Sequence, residues 1–175
     1  MRLIKMFLAG LIGLFIFITL LSLLITAHPK VSRTVIINSE AKEKIFAQVA
    51  DLENWKNWQP LFSSDSAKVL FGKITKGEDA VCDIIYNNKT TRLKIIKTDS
   101  SSVTFLLQAA GENDISNEII FSSFPSLQQT RVDWIATIHL HWYPWEKFYA
   151  IFIDKLTGPG YEASLNSLKQ FVETH

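Results

Sequence analysis

The stretch VSRTVIINSEAKEKIFAQVADLENWKNWQP, residues 31–60, decides the architecture. Ser32 to Ile37 alternates with β-branched side chains and reads as a strand, which Asn38 and Ser39 stop. Ser39 is an N-cap candidate ahead of acidic residues in a first helical turn, and Ile45, Phe46, Val49 and Leu52 recur at helical spacing. A short helix is expected to begin near Glu40. A second turn, from Asp51 to Trp58, ends before Pro60, which has no backbone N–H to donate.

Downstream, no helical periodicity returns until Pro144. Six alternating apolar segments fill the interval: Ala67 to Lys73, Ala80 to Tyr86, Thr91 to Lys97, Ser102 to Ala109, Ser116 to Ser123 and Thr130 to His141. Turn-prone clusters separate them, among them Lys76 to Asp79, Asn87-Asn88, Asp99 to Ser102 and Gly111 to Asp114, and the spacing predicts an antiparallel meander. Asn88-Lys89-Thr90 matches a glycosylation acceptor, but paired asparagines are what a tight hairpin prefers, and we read them as a turn. From Trp145 to Val172, Phe148, Phe152, Leu156, Leu165, Leu168 and Phe171 repeat at helical intervals. Gly158-Pro159-Gly160 interrupts them and predicts a kink or break. The whole is an α+β domain, a curved seven-stranded antiparallel sheet with one face that only the long C-terminal helix can cover. Of twelve Phe, five Trp and four Tyr in the chain, all but Phe7, Phe15 and Phe17 fall in this domain and supply bulky walls for a cleft between sheet and helix.

Upstream of this domain, Met6 to Ala27 is 22 residues without a charge, and about 20 suffice to span a bilayer. Leu, Ile and Phe cover every face, and the run is longer than the apolar core of a secretory signal, with Ile25 at the would-be −3 position of a cleavage site. Residues 1–28 are therefore expected to be an uncleaved transmembrane anchor, 29–31 a linker and 32–175 the domain. Arg2, Lys5 and the amino group at one end nearly balance Lys30 and Arg33 at the other, and a short N-terminal flank with positive charge is the simplest case of a cytoplasmic N-terminus, which places the domain on the extracytoplasmic side of the cell membrane. Without Arg2 and Lys5, the 18 Lys and Arg become 16 against 17 Asp and Glu. These are interspersed rather than striped, which argues against nucleic-acid binding. Cys82, the only cysteine, excludes an internal disulfide and a cysteine-built zinc site and reads as a small buried apolar residue.

The order of elements and two motif groups resemble the START-like superfamily, also called SRPBCC, in the branch labelled polyketide cyclase/dehydrase. The first group is Asp51-Leu52, Trp55 and Trp58-Gln59-Pro60 behind the opening strand. The second is Phe152-Ile153-Asp154-Lys155, Gly158, Tyr161-Glu162, Leu165 and Leu168-Lys169. The resemblance covers roughly residues 31 to 174, and an apolar N-terminal anchor looks like many bacterial members. It departs at Ser39-Glu40, where a small residue and proline are common, and at Gln59, where serine often sits. It implies a helix-grip fold, seven strands wrapped around the terminal helix, with a hydrophobic tunnel that takes lipids, sterols, polyketides or other apolar molecules. Only some members are enzymes.

Strand alternation assigns the cavity side. Val132, Trp134, Ala136 and Ile138 share one face with Cys82, Ile84, Tyr86, Val103, Phe105, Leu107, Ile119 and Phe121 inward by the same rule, while Arg131, Asp133, Thr137, Asp83, Thr104 and Glu118 point out. From the helices, Phe46, Trp55, Trp58, Tyr149, Phe152 and Tyr161 are candidates for closing the cavity ends, against plain core packing. His139 and His141 lie on the outer side without a third ligand, so no metal is expected, nor any cofactor. No nucleophile elbow is present. A carboxylate base in an apolar pocket would need a raised pKa; Glu162, beside Tyr161 on the covering helix, is the least ill-placed for it, and no catalytic residue is assigned. The leading expectation is a membrane-tethered module that holds an apolar small molecule or lipid. The alternatives are a polyketide cyclase- or dehydratase-like enzyme and a filled-core interaction protein. The sequence names no protein partner.

Overall fold

A computed structural model describes residues 2–38 and 42–175. The strands are β1 (Lys30–Ile37), β2 (Ala67–Phe71), β3 (Val81–Tyr86), β4 (Lys89–Asp99), β5 (Ser102–Ala109), β6 (Ile115–Phe124) and β7 (Gln129–Ile138). They form one antiparallel sheet in the order β1-β7-β6-β5-β4-β3-β2. The meander from β2 to β7 is as the spacing predicts, and β1 joins β7 at the far side. Asn87 and Asn88 hold φ of 50° and 61° between the paired Tyr86 and Lys89, the left-handed backbone that a two-residue hairpin demands. In β4 a bulge between Ile95 and Lys97 leaves Ile96 half exposed while Ile95 is buried.

The expected N-cap Ser39 and the helix start near Glu40 lie outside the described residues. Helix α2 runs over Lys42–Ala50 and passes into a 3₁₀ turn over Leu52–Asn57, whose first turn Asp51 caps by accepting from the Glu53 N–H at 3.1 Å. Two tryptophans tie the pieces together. The Trp55 indole donates to the Val49 carbonyl at 2.8 Å and that of Trp58 to the Gln48 carbonyl at 3.1 Å. These carbonyls belong to the last turn of α2, where the helix has no N–H of its own to offer.

The C-terminal break falls elsewhere than predicted. Helices α3 (Pro144–Ala150) and α4 (Ile153–Thr174) part at Ile151-Phe152, and α4 continues through Pro159. Pro159 and Lys155, whose carbonyl loses its donor, are both exposed, so the orphan acceptor sits on the solvent side of the helix, where a missing partner costs little. Buried Gly158 then lets α4 approach β1. The Arg33 guanidinium occupies the space that a Cβ at 158 would need and bonds Asp154 one turn earlier at 2.8 Å. That pair raises the Arg33 pKa and lowers that of Asp154, chiefly through the hydrogen bond.

The larger core cluster joins Ile45, Leu52 and Trp55 to the sheet residues Cys82, Leu93, Phe105 and Ile119 and to Leu165, Leu168 and Val172 of α4. A smaller one gathers Val31, Ala136, Ile138, Leu140, Ala150 and Ile153. Helix α1 (Arg2–Ser22) is 21 residues long and is the one helix among the described residues apolar and long enough to cross a membrane. Its side chains are exposed on every face, with Ser22 alone buried. The segment after it is fastened to the domain: Ile138 donates its N–H to the Pro29 carbonyl at 3.1 Å and Leu140 to that of Ala27 at 3.0 Å.

Candidate functional site: an apolar cavity beneath α4

Residue size along α4 sets where the fold is solid and where it is hollow. Leu165, Leu168 and Val172 in the second half fill the space above the sheet. In the first half the inward stripe is Thr157, Gly160, Tyr161 and Ser164, the i, i+3, i+4, i+7 spacing of one helix face, and three of the four are small. The space that they leave is a cavity of about 490 Å³, within the range of small-molecule sites. Ile84, Leu93, Phe105, Leu107 and Trp134 form its sheet wall. Trp55 and the loop Gln59–Phe62 close one side, and Glu112, Asn113 and Ile115 of the β5–β6 hairpin another.

Of the residues expected around a cavity, Trp55, Ile84, Phe105, Leu107, Trp134 and Tyr161 line this one. Phe46, Trp58, Cys82, Val103, Ile119 and Phe121 pack in the larger core, and Ala136 in the smaller. Tyr86, Tyr149 and Phe152 lie on the surface, the first at a hairpin end and the others where the chain turns between α3 and α4. Alternation identifies a strand's inner face but not how far along that face the covering helix leaves room. The sequence did not point to Leu61, Phe62, Asn113, Thr157 or Ser164 as cavity lining, and Gln59, Pro60 and Gly160 entered only as motif and helix-break residues. For the α4 residues the signal was the helical spacing of 157, 160, 161 and 164.

The interior carries few polar groups, and most are engaged. Gln59 Oε1 accepts from the Leu61 N–H at 2.8 Å. The Thr157 and Ser164 hydroxyls donate to the carbonyls of Ile153 and Gly160, both at 2.8 Å. Thr91, Asn113 and Tyr161 make no side-chain hydrogen bond. Asn113 Oδ1 is the one buried side-chain oxygen or nitrogen among the described residues without a hydrogen-bond partner. The Tyr161 hydroxyl makes none either; its ring sits edge-on to Trp134 at 5.1 Å, and burial pushes its pKa up to about 12. It is a neutral donor at physiological pH.

The remaining candidates for chemistry stand apart. Glu162 is exposed and does not line the cavity. His139 and His141 lie beyond the end of β7, exposed, the first edge-on to His28 and the second beside Glu146 Oε2 at 3.2 Å. No group of three metal-ligating side chains occurs among the described residues. Cys82 is 1% exposed, and burial, with the Asp83 charge second, pushes its thiol up to about 12. Roughly one thiol in ten thousand is then ionised at pH 8. Iodoacetamide at that pH is expected to leave the folded protein unmodified and to alkylate Cys82 fully in urea, as intact mass reads out.

By sequence, the chain matches no family model and no curated protein. By shape it is similar to a START superfamily protein from Mycobacterium smegmatis, 15% identical, with a TM-score of 0.61 over 83% of this chain and 98% of that one. CalU16 from Micromonospora echinospora is 12% identical with a TM-score of 0.56 over 82% and 75% of the two chains. For Ara h 8.0201 the values are 11%, 0.54, 85% and 99%. A seven-stranded antiparallel sheet gripping a long C-terminal helix, with the likeness to these structures, gives this chain a START-like helix-grip fold.

Proposed function

We propose that the protein is a membrane-tethered module that holds an apolar small molecule or lipid in the cavity beneath α4. The observation that carries this reading is the cavity itself, about 490 Å³ walled by aromatic and aliphatic side chains. Burial of ligand surface there supplies roughly 25 cal/mol per Å². The free Tyr161 hydroxyl then orients the ligand's polar end. Acid–base catalysis is the weaker reading, because the one carboxylate at the cavity, Glu112, is held by Lys89 at 2.6 Å on the surface side. With α1 as the tether, Arg2 and Lys5 in its first turns favour a cytoplasmic N-terminus and an extracytoplasmic domain.

Native mass spectrometry of the full chain, released from detergent and followed by organic extraction, tests the binding reading. An apolar molecule or lipid that co-purifies in near-stoichiometric amount is expected. An empty chain that also fails to enhance the emission of an apolar fluorescent probe would overturn it and favour the filled-core interaction protein.

A further inference from the structure

The segment from Trp142 to Leu156 presents a row of large apolar side chains to solvent. Trp142 is 72% exposed, Trp145 63%, Ile151 60% and Phe152 58%. Tyr149 and Leu156 are more than half exposed as well. Exposed apolar residues scattered singly are ordinary, but six within fifteen consecutive positions, around α3 and the first turn of α4, form a patch of the kind that marks an interaction site. The aromatics are pre-ordered: the Tyr143 and Trp145 rings stack at 5.0 Å, 5° from parallel, and Trp142 abuts Tyr143 at 5.2 Å.

What covers this face follows from where the anchor leaves the domain. Leu140, two residues before Trp142, takes its backbone partner from Ala27, and Ala27 lies five residues beyond the end of α1 at Ser22. Five extended residues reach at most about 18 Å. If α1 spans a bilayer, Ala27 is therefore held within that distance of its surface, Leu140 is bonded beside it two residues before the patch, and α1 itself touches α3, the helix that carries the patch. The chemistry suits that depth, because tryptophan and tyrosine are the side chains that settle at the membrane–water boundary. Charge does not drive the contact, since Glu146 and Asp154 balance Lys147 and Lys155 across the segment.

We infer that the face formed by α3 and the start of α4 docks into the interfacial layer of the bilayer that α1 enters, as a second, aromatic contact beside the tether. This rests on the reading of α1 as a membrane span. Thr157, next to Leu156, lines the cavity, so docking seats the cavity at the lipid surface, where an apolar ligand need not cross open water.

The full chain, reconstituted into neutral phosphatidylcholine vesicles with brominated acyl chains near the headgroup, provides the test. Trp142 and Trp145 are the exposed tryptophans, the other three are buried, and α1 has none. Brominated lipid is expected to quench a large part of the emission, and Trp142→Phe/Trp145→Phe is expected to lose most of that quenching while the chain still floats with the vesicles. Quenching undiminished in the double variant would come from lipid beside Trp55 and Trp134 in the cavity and would overturn docking. A chain that floats unquenched overturns docking and leaves the tether standing; if it also crosslinks as a dimer through Trp142–Leu156, the face belongs to a second copy. A chain that does not float overturns the tether and docking together.

Discussion

Trp134→Ala is expected to remove most of the domain's stability. Trp134 is 3% exposed and meets four rings, those of Trp55, Trp58, Phe105 and Tyr161, at centroid distances from 5.1 to 6.5 Å. Truncating a buried tryptophan costs about 3–5 kcal/mol in lost packing. The indole N–H also donates at 3.0 Å to Oδ1 of Asn117, itself fully buried. Without it that oxygen keeps no partner, a further cost of about 1–3 kcal/mol. The sum approaches the whole stability of an ordinary domain, about 5–15 kcal/mol. Urea unfolding of the full chain in detergent, followed by near-ultraviolet circular dichroism, reads the loss. Trp134→Phe keeps much of the ring contact and drops only the donor, so it is expected to fall between the variant and the parent. A Trp134→Ala protein within about 1 kcal/mol of the parent would mean that these contacts do not hold the fold.

Gly160→Phe is expected to act in the opposite sense on fold and on binding. A Cβ at Gly160 meets nothing within 4 Å, and the position lines the cavity. An added ring therefore occupies free volume instead of displacing protein. Replacing glycine inside a helix gains a few tenths of a kcal/mol, so unfolding is expected to shift little, or upward. The ring removes on the order of 100 Å² of surface that a ligand would otherwise cover, about 2.5 kcal/mol, which weakens binding more than tenfold. Titration with an apolar fluorescent probe measures it. Unchanged affinity in a well-folded variant would place the ligand outside this cavity.

These two substitutions also divide what could be read in the chain from what could not. Trp134 was legible, because period-two alternation from Thr130 puts it with Val132, Ala136 and Ile138 on one face, and any sheet with a covered side buries that face. Its partner was not: Asn117 sits on the inner face of β6 between apolar neighbours, and nothing local says that an indole from the next strand satisfies it. Gly160 was read as a helix breaker beside Pro159. In the structure, solvent exposure makes the proline harmless and the glycine leaves the cavity open.

The sequence by itself determined the strand–helix opening, the meander, the asparagine hairpin, the apolar N-terminal run and the inner face of most strands, because each rests on near neighbours and on backbone periodicity. Only the tertiary structure decided that α4 runs unbroken past Pro159, that Arg33 fills the notch at Gly158, and that Phe46, Trp58 and Cys82 pack solidly while Trp55, Leu107 and Tyr161 border open space. Those outcomes depend on which side chains face one another across the sheet–helix gap, and that gap is set by sizes on two elements far apart in the chain.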